Sequence, residues 1–237
     1  MARRHTVKSF LQDGNYHIYN RGVDNRDIFL EPQDYHTFIQ LLAFYLGPYA
    51  LENRPGFKGD KPSIAKHKQA MNLHQQVQLL AYCLLPNHFH LLVKQTDPHG
   101  ITQLMRRVGV NYSMYFNSKY HRRGSLFESI YKATIVEGRE MILHLTRYIH
   151  LNPLSLKVSR FGPVSTVTTA RPDEYEYSSY RQYVQDKKLP WLDPQLVLDI
   201  FTTAATHRSY QLFVEDHWLN SQSILGTRVL EEEPEKR

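Results

Sequence analysis

Two apolar runs joined by a turn dominate the middle of the chain. Val77 to Leu85 is apolar and aromatic with no Gly or Pro, and Pro86-Asn87 is a turn signal before His88-Phe89-His90-Leu91-Leu92-Val93-Lys94. The pattern predicts neighbouring antiparallel strands. Side chains alternate across a sheet, so Phe89, Leu91 and Val93 share one face, which needs a core. His88, His90 and Lys94 share the other. Tyr16 to Asn20 reads as an earlier strand, opened by the turn Asp13-Gly14. Tyr35, Phe38, Ile39, Leu42 and Tyr45 lie near helical spacing and predict a helix over 34–46, stopped by Gly47-Pro48. Residues 101–120 predict an amphipathic helix with Leu104, Val108, Met114 and Tyr115 towards the core. Two short strands are expected at 126–131 and 133–136. A helix over 140–152 puts Met141, Leu145, Tyr148 and Asn152 on one side, and Pro153 disfavours helix at the residue before it.

These elements describe an α+β unit over residues 12–156. Residues 48–76 interrupt it with a basic stretch rich in Gly, Pro, Lys and Asn, read as an insertion with a short polar helix at 63–73. Beyond the 140–152 helix, a Ser/Thr/Val-rich loop leads to three short helical patterns at 175–184, 194–203 and 209–218. They form a helical extension, 157–225, expected to pack on the core. Residues 226–237 are a charged tail.

Charge changes the picture more than length does. The chain of 237 residues carries a formal net charge of +6, which favours an anionic partner, nucleic acid before membrane. Its one cysteine, Cys83, rules out an internal disulfide and a cysteine-rich zinc cluster. No apolar run is long enough to span a bilayer and no signal-peptide h-region opens the chain, so it reads as cytoplasmic, with no membrane partner.

Two histidines at i and i+2 on one strand face are close enough to bind one cation. Among 13 histidines such a pair also arises by chance and is often only surface. A second stretch, Tyr148-Ile149-His150-Leu151-Asn152-Pro153, adds to it. Tyr148 and Asn152 stand one turn apart on a helix and present a hydroxyl and an amide together. A packed tyrosine and a helix-ending asparagine would look the same in isolation. Taken with the strand, two imidazoles and an amide oxygen would suit a divalent cation with open positions, Mg²⁺ or Mn²⁺. Such a cation clamps a phosphodiester for in-line attack, and a neighbouring tyrosine supplies the nucleophile.

Pro86-Asn87-His88-Phe89-His90 together with Tyr148-Ile149-His150-Leu151-Asn152-Pro153 resembles the IS200-like single-tyrosine HUH transposases, most of all their REP-associated branch. Further matches are the strand and loop from Tyr16 to Gly22, Gly124-Ser125-Leu126-Phe127-Glu128 with Tyr131-Lys132, and Tyr175-Glu176-Tyr177-Ser178-Ser179-Tyr180. They occur in the expected order across residues 12–200. The resemblance implies a single antiparallel sheet of ferredoxin-like (HUH) type flanked by helices. It implies that His88 and His90 bind metal, that Tyr148 is the nucleophile, and that Asn152 completes the site, although many relatives carry Gln there. The implied activity is cleavage and rejoining of single-stranded DNA through a 5′-phosphotyrosine, on DNA containing a hairpin such as a repetitive extragenic palindrome. The alternatives are a DNA-binding or regulatory protein that keeps the fold without transposition, and a metal-dependent hydrolase in which Tyr148 is structural.

Basic residues complete the expectation. Arg21, Arg106, Arg107, Lys119, Arg122, Arg123 and Lys132 are candidates for the DNA backbone, with Lys119, Arg122, Arg123 and Lys132 expected as one patch beside the histidines. A monomer is favoured over a homodimer.

Overall fold

The computed structural model describes residues 10–48, 71–155, 171–185, 187–201 and 206–216. Most of the expected insertion, the 157–170 loop and the charged tail lie outside them. Four strands form one antiparallel sheet in the order β2-β3-β1-β4, with β1 at Asn15–Arg21, β2 at Val77–Leu85, β3 at His88–Gln95 and β4 at Lys132–Ile135. The α+β class, with one antiparallel sheet flanked by helices and a helical C-terminal region, is as expected.

The β2–β3 hairpin follows the Pro86-Asn87 turn, and its register pairs Leu85 with His88 and Cys83 with His90. A bulge falls between Leu79 and Ala81. The extra residue shifts the alternation, so Leu79 and Tyr82 belong to one core while Leu80, Ala81, Cys83 and Leu85 belong to another. The sheet therefore has two buried faces. A strand apolar on both sides needs a layer on each.

The first layer is α1 (Pro32–Leu46) and α2 (Gly100–Lys119). They pack Phe38, Leu42, Leu104, Val108, Tyr112 and Phe116 over Ile18, Phe89, Leu91 and Val93. Each such side chain contributes about 1.5–3 kcal/mol of burial. The first turn of α1 is closed by a capping box between Glu31 and Asp34, with Pro32 at its first position. In α2 the buried stripe runs through Ile101, Leu104, Met105, Val108, Tyr112 and Phe116. Met114, expected in the core, is 66% exposed, because it lies off that stripe.

The second layer is α3 (Arg139–Leu151) with α4 (Tyr180–Val184), α5 (Gln195–Leu198) and α6 (Thr206–Asp216). Helix α3 lies on β2 and β3 and contacts α5 and α6. It gives way at Asn152 to a 3₁₀ turn, Asn152–Ser155, with Asn152 itself still at helical angles (φ −54°, ψ −38°) ahead of Pro153. The extension also covers the exposed edge of β2. Leu84 N donates to Tyr177 O at 2.9 Å, Asp193 N to Leu79 O at 2.8 Å and the Tyr183 hydroxyl to Leu80 O at 2.7 Å. Tyr175 likewise donates to Leu84 O. A sheet edge so covered is closed to pairing with other chains. Buried His150 ties α3 to this layer through the Tyr210 hydroxyl at 2.7 Å and the Ser179 hydroxyl at 2.8 Å.

Two expected elements differ. Residues 126–131 are not a strand, because their backbone groups bond elsewhere. The Asn20 amide takes Ser129 O and Ile130 O, and Val23 N takes Leu126 O, leaving a single bridge between Gly22 and Phe127. Tyr175–Ser179 is irregular along β2, and only Tyr180–Val184 is helical.

Candidate nuclease site

The site lies between the histidine-bearing face of the sheet and α3. Strand β3 supplies His88 and His90, and β1 runs beside it in register, with Tyr19 opposite His90 and Arg21 opposite His88. Strand β4 continues the row, with Lys132 opposite Tyr19 and Thr134 opposite His17. Alternation thus lines up His17, Tyr19, Arg21, His88, His90 and Lys132 on one surface.

Helix α3 brings Tyr148 and Asn152 down onto it. The Tyr148 ring stands edge-on to His90, with centroids 5.5 Å apart and planes at 81°, and edge-on to His17 at 6.4 Å and 82°. The Asn152 amide nitrogen is 3.2 Å from His90 Nε2. The other ring nitrogen of His90, Nδ1, is 2.9 Å from His17 Nε2. His88 Nδ1 donates to the Asn87 side-chain oxygen at 2.6 Å. The two ligand candidates on β3 are themselves edge-on, 5.0 Å between centroids.

Burial is uneven. His90 and His17 are fully enclosed and Asn152 is nearly so, while His88 and Tyr148 are half-buried. The histidine face is therefore not an open sheet surface: α3 and its neighbours roof it. Burial holds the His90 imidazole well below the ordinary histidine range, and the cationic forms of His88 and His17 and the charge of Arg21 push the same way. His90 is thus neutral at pH 7, the form in which imidazole ligates metal.

The basic candidates divide. Arg21 and Lys132 reach the histidine face. Arg21 Nε is buried without a hydrogen bond, 3.6 Å from Glu128 Oε2, and Lys132 Nζ lies 5.6 Å over the Tyr19 ring. Arg106, Arg107 and Lys119 sit on α2, on the other side of the sheet. Arg107 donates to Met71 O and Gln103, and Lys119 is paired with Glu31 and Asp34. Arg106 is exposed and lines an apolar groove of about 860 Å³ between α2 and residues 124–131, remote from the histidines. Arg122 and Arg123 follow the end of α2, with the Arg122 guanidinium 5.7 Å over Phe116 and Arg123 exposed. One patch uniting Lys119 with Lys132 does not form, because α2 packs on one face of the sheet while Lys132 lies on the other, over Tyr19.

His17 was missed by sequence reasoning as a site residue. Alternation along 16–20 sets it with Tyr19, opposite to Tyr16 and Ile18, but only the long-range pairing of β1 with β3 reveals its contact with His90.

Among the described residues, no three His, Cys, Asp or Glu side chains are grouped to hold a metal ion. The two imidazoles and the Asn152 amide are, among the described residues, the groups that could hold a cation here. Among the described residues, no helix is long and apolar enough to cross a membrane.

No curated protein matches the chain. Among solved structures, it is similar to a REP-associated tyrosine transposase bound to a REP hairpin, with 10% identity, a TM-score of 0.46, and coverage of 86% of this chain and 96% of that one. Residues 54–152 match the family model for IS200-like transposases. That span carries His88, His90, Tyr148 and Asn152 together, so the resemblance drawn from these motifs is borne out: over this stretch the chain is similar to the IS200-like transposases.

Proposed function

We propose that this chain is a single-strand DNA endonuclease and strand transferase, with Tyr148 as nucleophile and His88, His90 and Asn152 as the holders of Mg²⁺ or Mn²⁺. The observation that carries this is the placement of Tyr148 edge-on to His90 within one chain, with Asn152 at the Nε2 of the same ring. The donor set fits such a cation. His88 carries its proton on Nδ1, so in the neutral ring its lone pair is on Nε2. Nitrogen and amide ligands with several outside positions suit Mn²⁺ and are compatible with Mg²⁺. When bound, the cation supplies neutralisation of phosphate charge.

The protein's own groups do the rest. The Tyr148 oxygen displaces the 3′ oxygen at phosphorus, forming the Oη–P bond as the P–O3′ bond breaks. The proton lost by the phenol is balanced by the one gained at the 3′-hydroxyl. One phosphodiester is exchanged for another, so rejoining needs no external energy. Arg21 and Lys132, on the same surface, can hold the flanking phosphates. Glu128 keeps Arg21 in place until a phosphate takes its unfilled Nε donor. Phosphate reaches the site past His88 and Tyr148, the half-buried members, which suits a flexible strand and not a stiff duplex. Because one chain contains both the tyrosine and the histidines, a monomer is sufficient for cleavage.

Two outcomes test this. His90→Ala, and chelation by EDTA, should each reduce cleavage of a single-stranded oligonucleotide by more than the roughly 10–100-fold that losing a supporting residue of a metal site costs. Asn152→Ala should cost less. Full cleavage by the His90→Ala protein in EDTA would remove the cation from the mechanism.

The second outcome concerns substrate. A hairpin with a single-stranded flank, as the resemblance to the REP-associated branch suggests, should be cleaved in preference to the fully paired duplex of the same sequence in a competition at fixed salt. Affinity should fall with salt, and Lys132→Ala should reduce the slope of log K against log salt by about 0.7, the value of one single-strand phosphate contact. Equal cleavage of duplex would contradict the mechanism, and binding without any cleavage would favour the regulatory alternative.

A further inference from the structure

We propose that His17 is a positioning residue for His90, fixing its tautomer so that the Nε2 lone pair is the one presented to the cation. This rests on the proposed role of His90 as a ligand. The chain of contacts runs through three side chains. The Asn152 amide nitrogen, which can only donate, is 3.2 Å from His90 Nε2, and His17 Nε2 is 2.9 Å from His90 Nδ1.

A neutral imidazole has one N–H and one lone pair. In the metal-free protein Nε2 accepts from the Asn152 amide nitrogen, so the proton is on Nδ1, where it is donated to His17 Nε2. The Nε2 lone pair would go to a cation in place of that N–H, with the Asn152 amide turned to offer its oxygen. The backbone sets this geometry. Tyr19 is directly opposite His90 and His17 is opposite Leu92, so His17 meets His90 on the diagonal of the β1–β3 pair. The His17 and His90 rings are nearly parallel at 17°, with centroids 5.1 Å apart, and Tyr19 stacks on His17 at 4.8 Å and 28°. His17 and His90 are both fully buried, so water does not compete for the Nδ1 proton. Asn87 holds His88 Nδ1 in the same sense at 2.6 Å. Both histidines therefore have the same tautomer imposed by a neighbour, a pattern that raises ligand basicity and orients the ring in metal sites.

The test begins with the metal-free wild-type protein. Multiple-bond ¹H–¹⁵N correlation of the histidine rings should show His90 as the Nδ1–H tautomer. An Nε2–H tautomer would overturn the proposal, and this readout needs neither a variant nor activity. Two variants then separate positioning from packing. His17→Phe retains a ring but has no acceptor, and His17→Gln retains an acceptor oxygen. In Mn²⁺ titrations followed by electron paramagnetic resonance, His17→Phe should weaken binding by about 10–100-fold. His17→Gln should recover most of the loss.

Wild-type Mn²⁺ affinity in the folded His17→Phe protein would overturn the proposal while leaving the ligand assignment standing. Equal Mn²⁺ binding by wild type and His90→Ala would instead defeat the ligand assignment, and the tautomer spectrum would still decide what His17 does.

Discussion

Tyr148→Phe is expected to abolish the covalent protein–DNA adduct and to lower strand cleavage by on the order of 10⁴-fold or more, as loss of a nucleophile does. The change removes one oxygen. The ring keeps its edge-on contacts with His90 and His17, so stability should change by less than about 1 kcal/mol. Binding of Mn²⁺ and of the hairpin should be nearly unchanged, because neither His88, His90 and Asn152 nor Arg21 and Lys132 is altered. Denaturing gels of a labelled oligonucleotide measure the first effect and thermal unfolding the second. Should an adduct persist, Tyr19 is the residue to examine, with its ring 6.2 Å from His90. Tyr112 and Tyr115 are poor substitutes: they face the other core, with hydroxyls on Ile28 O and on Asp34.

Asp34→Ala should unfold the protein more readily than any change in the site. Asp34 is fully buried and its carboxylate is a hub. It accepts from Leu30 N at 2.9 Å, Glu31 N at 3.2 Å, the Tyr115 hydroxyl at 2.9 Å and the Tyr120 hydroxyl at 2.7 Å, and it pairs with Lys119 Nζ at 2.6 Å. Removing one partner of a buried pair leaves the others unsatisfied and costs about 3 kcal/mol, or roughly 10 °C in Tm. Asp34→Asn keeps the shape and should cost less.

The pH dependence has a definite sign. Burial alone would raise the Asp34 carboxyl, but hydrogen bonds from Lys119, Tyr120, Leu30 and Tyr115 outweigh it and hold it below the ordinary value. The folded state thus releases the proton more readily than the unfolded one. The stabilisation is present above the unfolded value near 3.8 and is lost as pH falls through the lower folded value. The gap between wild type and Asp34→Asn, measured by denaturant unfolding, should be constant at neutral pH and close below about pH 4.

Local pattern made much of the fold legible. Alternation located β1 and β3, helical spacing located α1 to α3, and Pro153 marked the end of α3. The common face of Tyr148 and Asn152 followed from spacing alone. Long-range contacts account for the remainder. The apolar pattern pointed to one core-facing side of the sheet, and only the bulge at Leu79 and Ala81 shows how β2 serves two cores. The roof over His90 comes from α3 and Asn152, and α3 is backed by α4 to α6, short helices set by contacts with β2 and by His150 rather than by their own periodicity. Positive charge was legible as a total but not as a surface. Lys119 is consumed by Asp34 and Glu31, while Arg21 is brought to His88 by the β1–β3 pairing and Lys132 to the same surface by the β1–β4 pairing, both between strands distant in sequence.

The most direct test of the phosphotyrosine mechanism is mass spectrometry of the wild-type protein after reaction with a single-stranded hairpin oligonucleotide in Mn²⁺. Nuclease trimming and proteolysis should yield a peptide containing Tyr148 with a nucleotide attached through its phenol oxygen, absent when EDTA is present. Cleaved DNA with no modified peptide, or modification at a tyrosine away from the His88–His90 face, would contradict it.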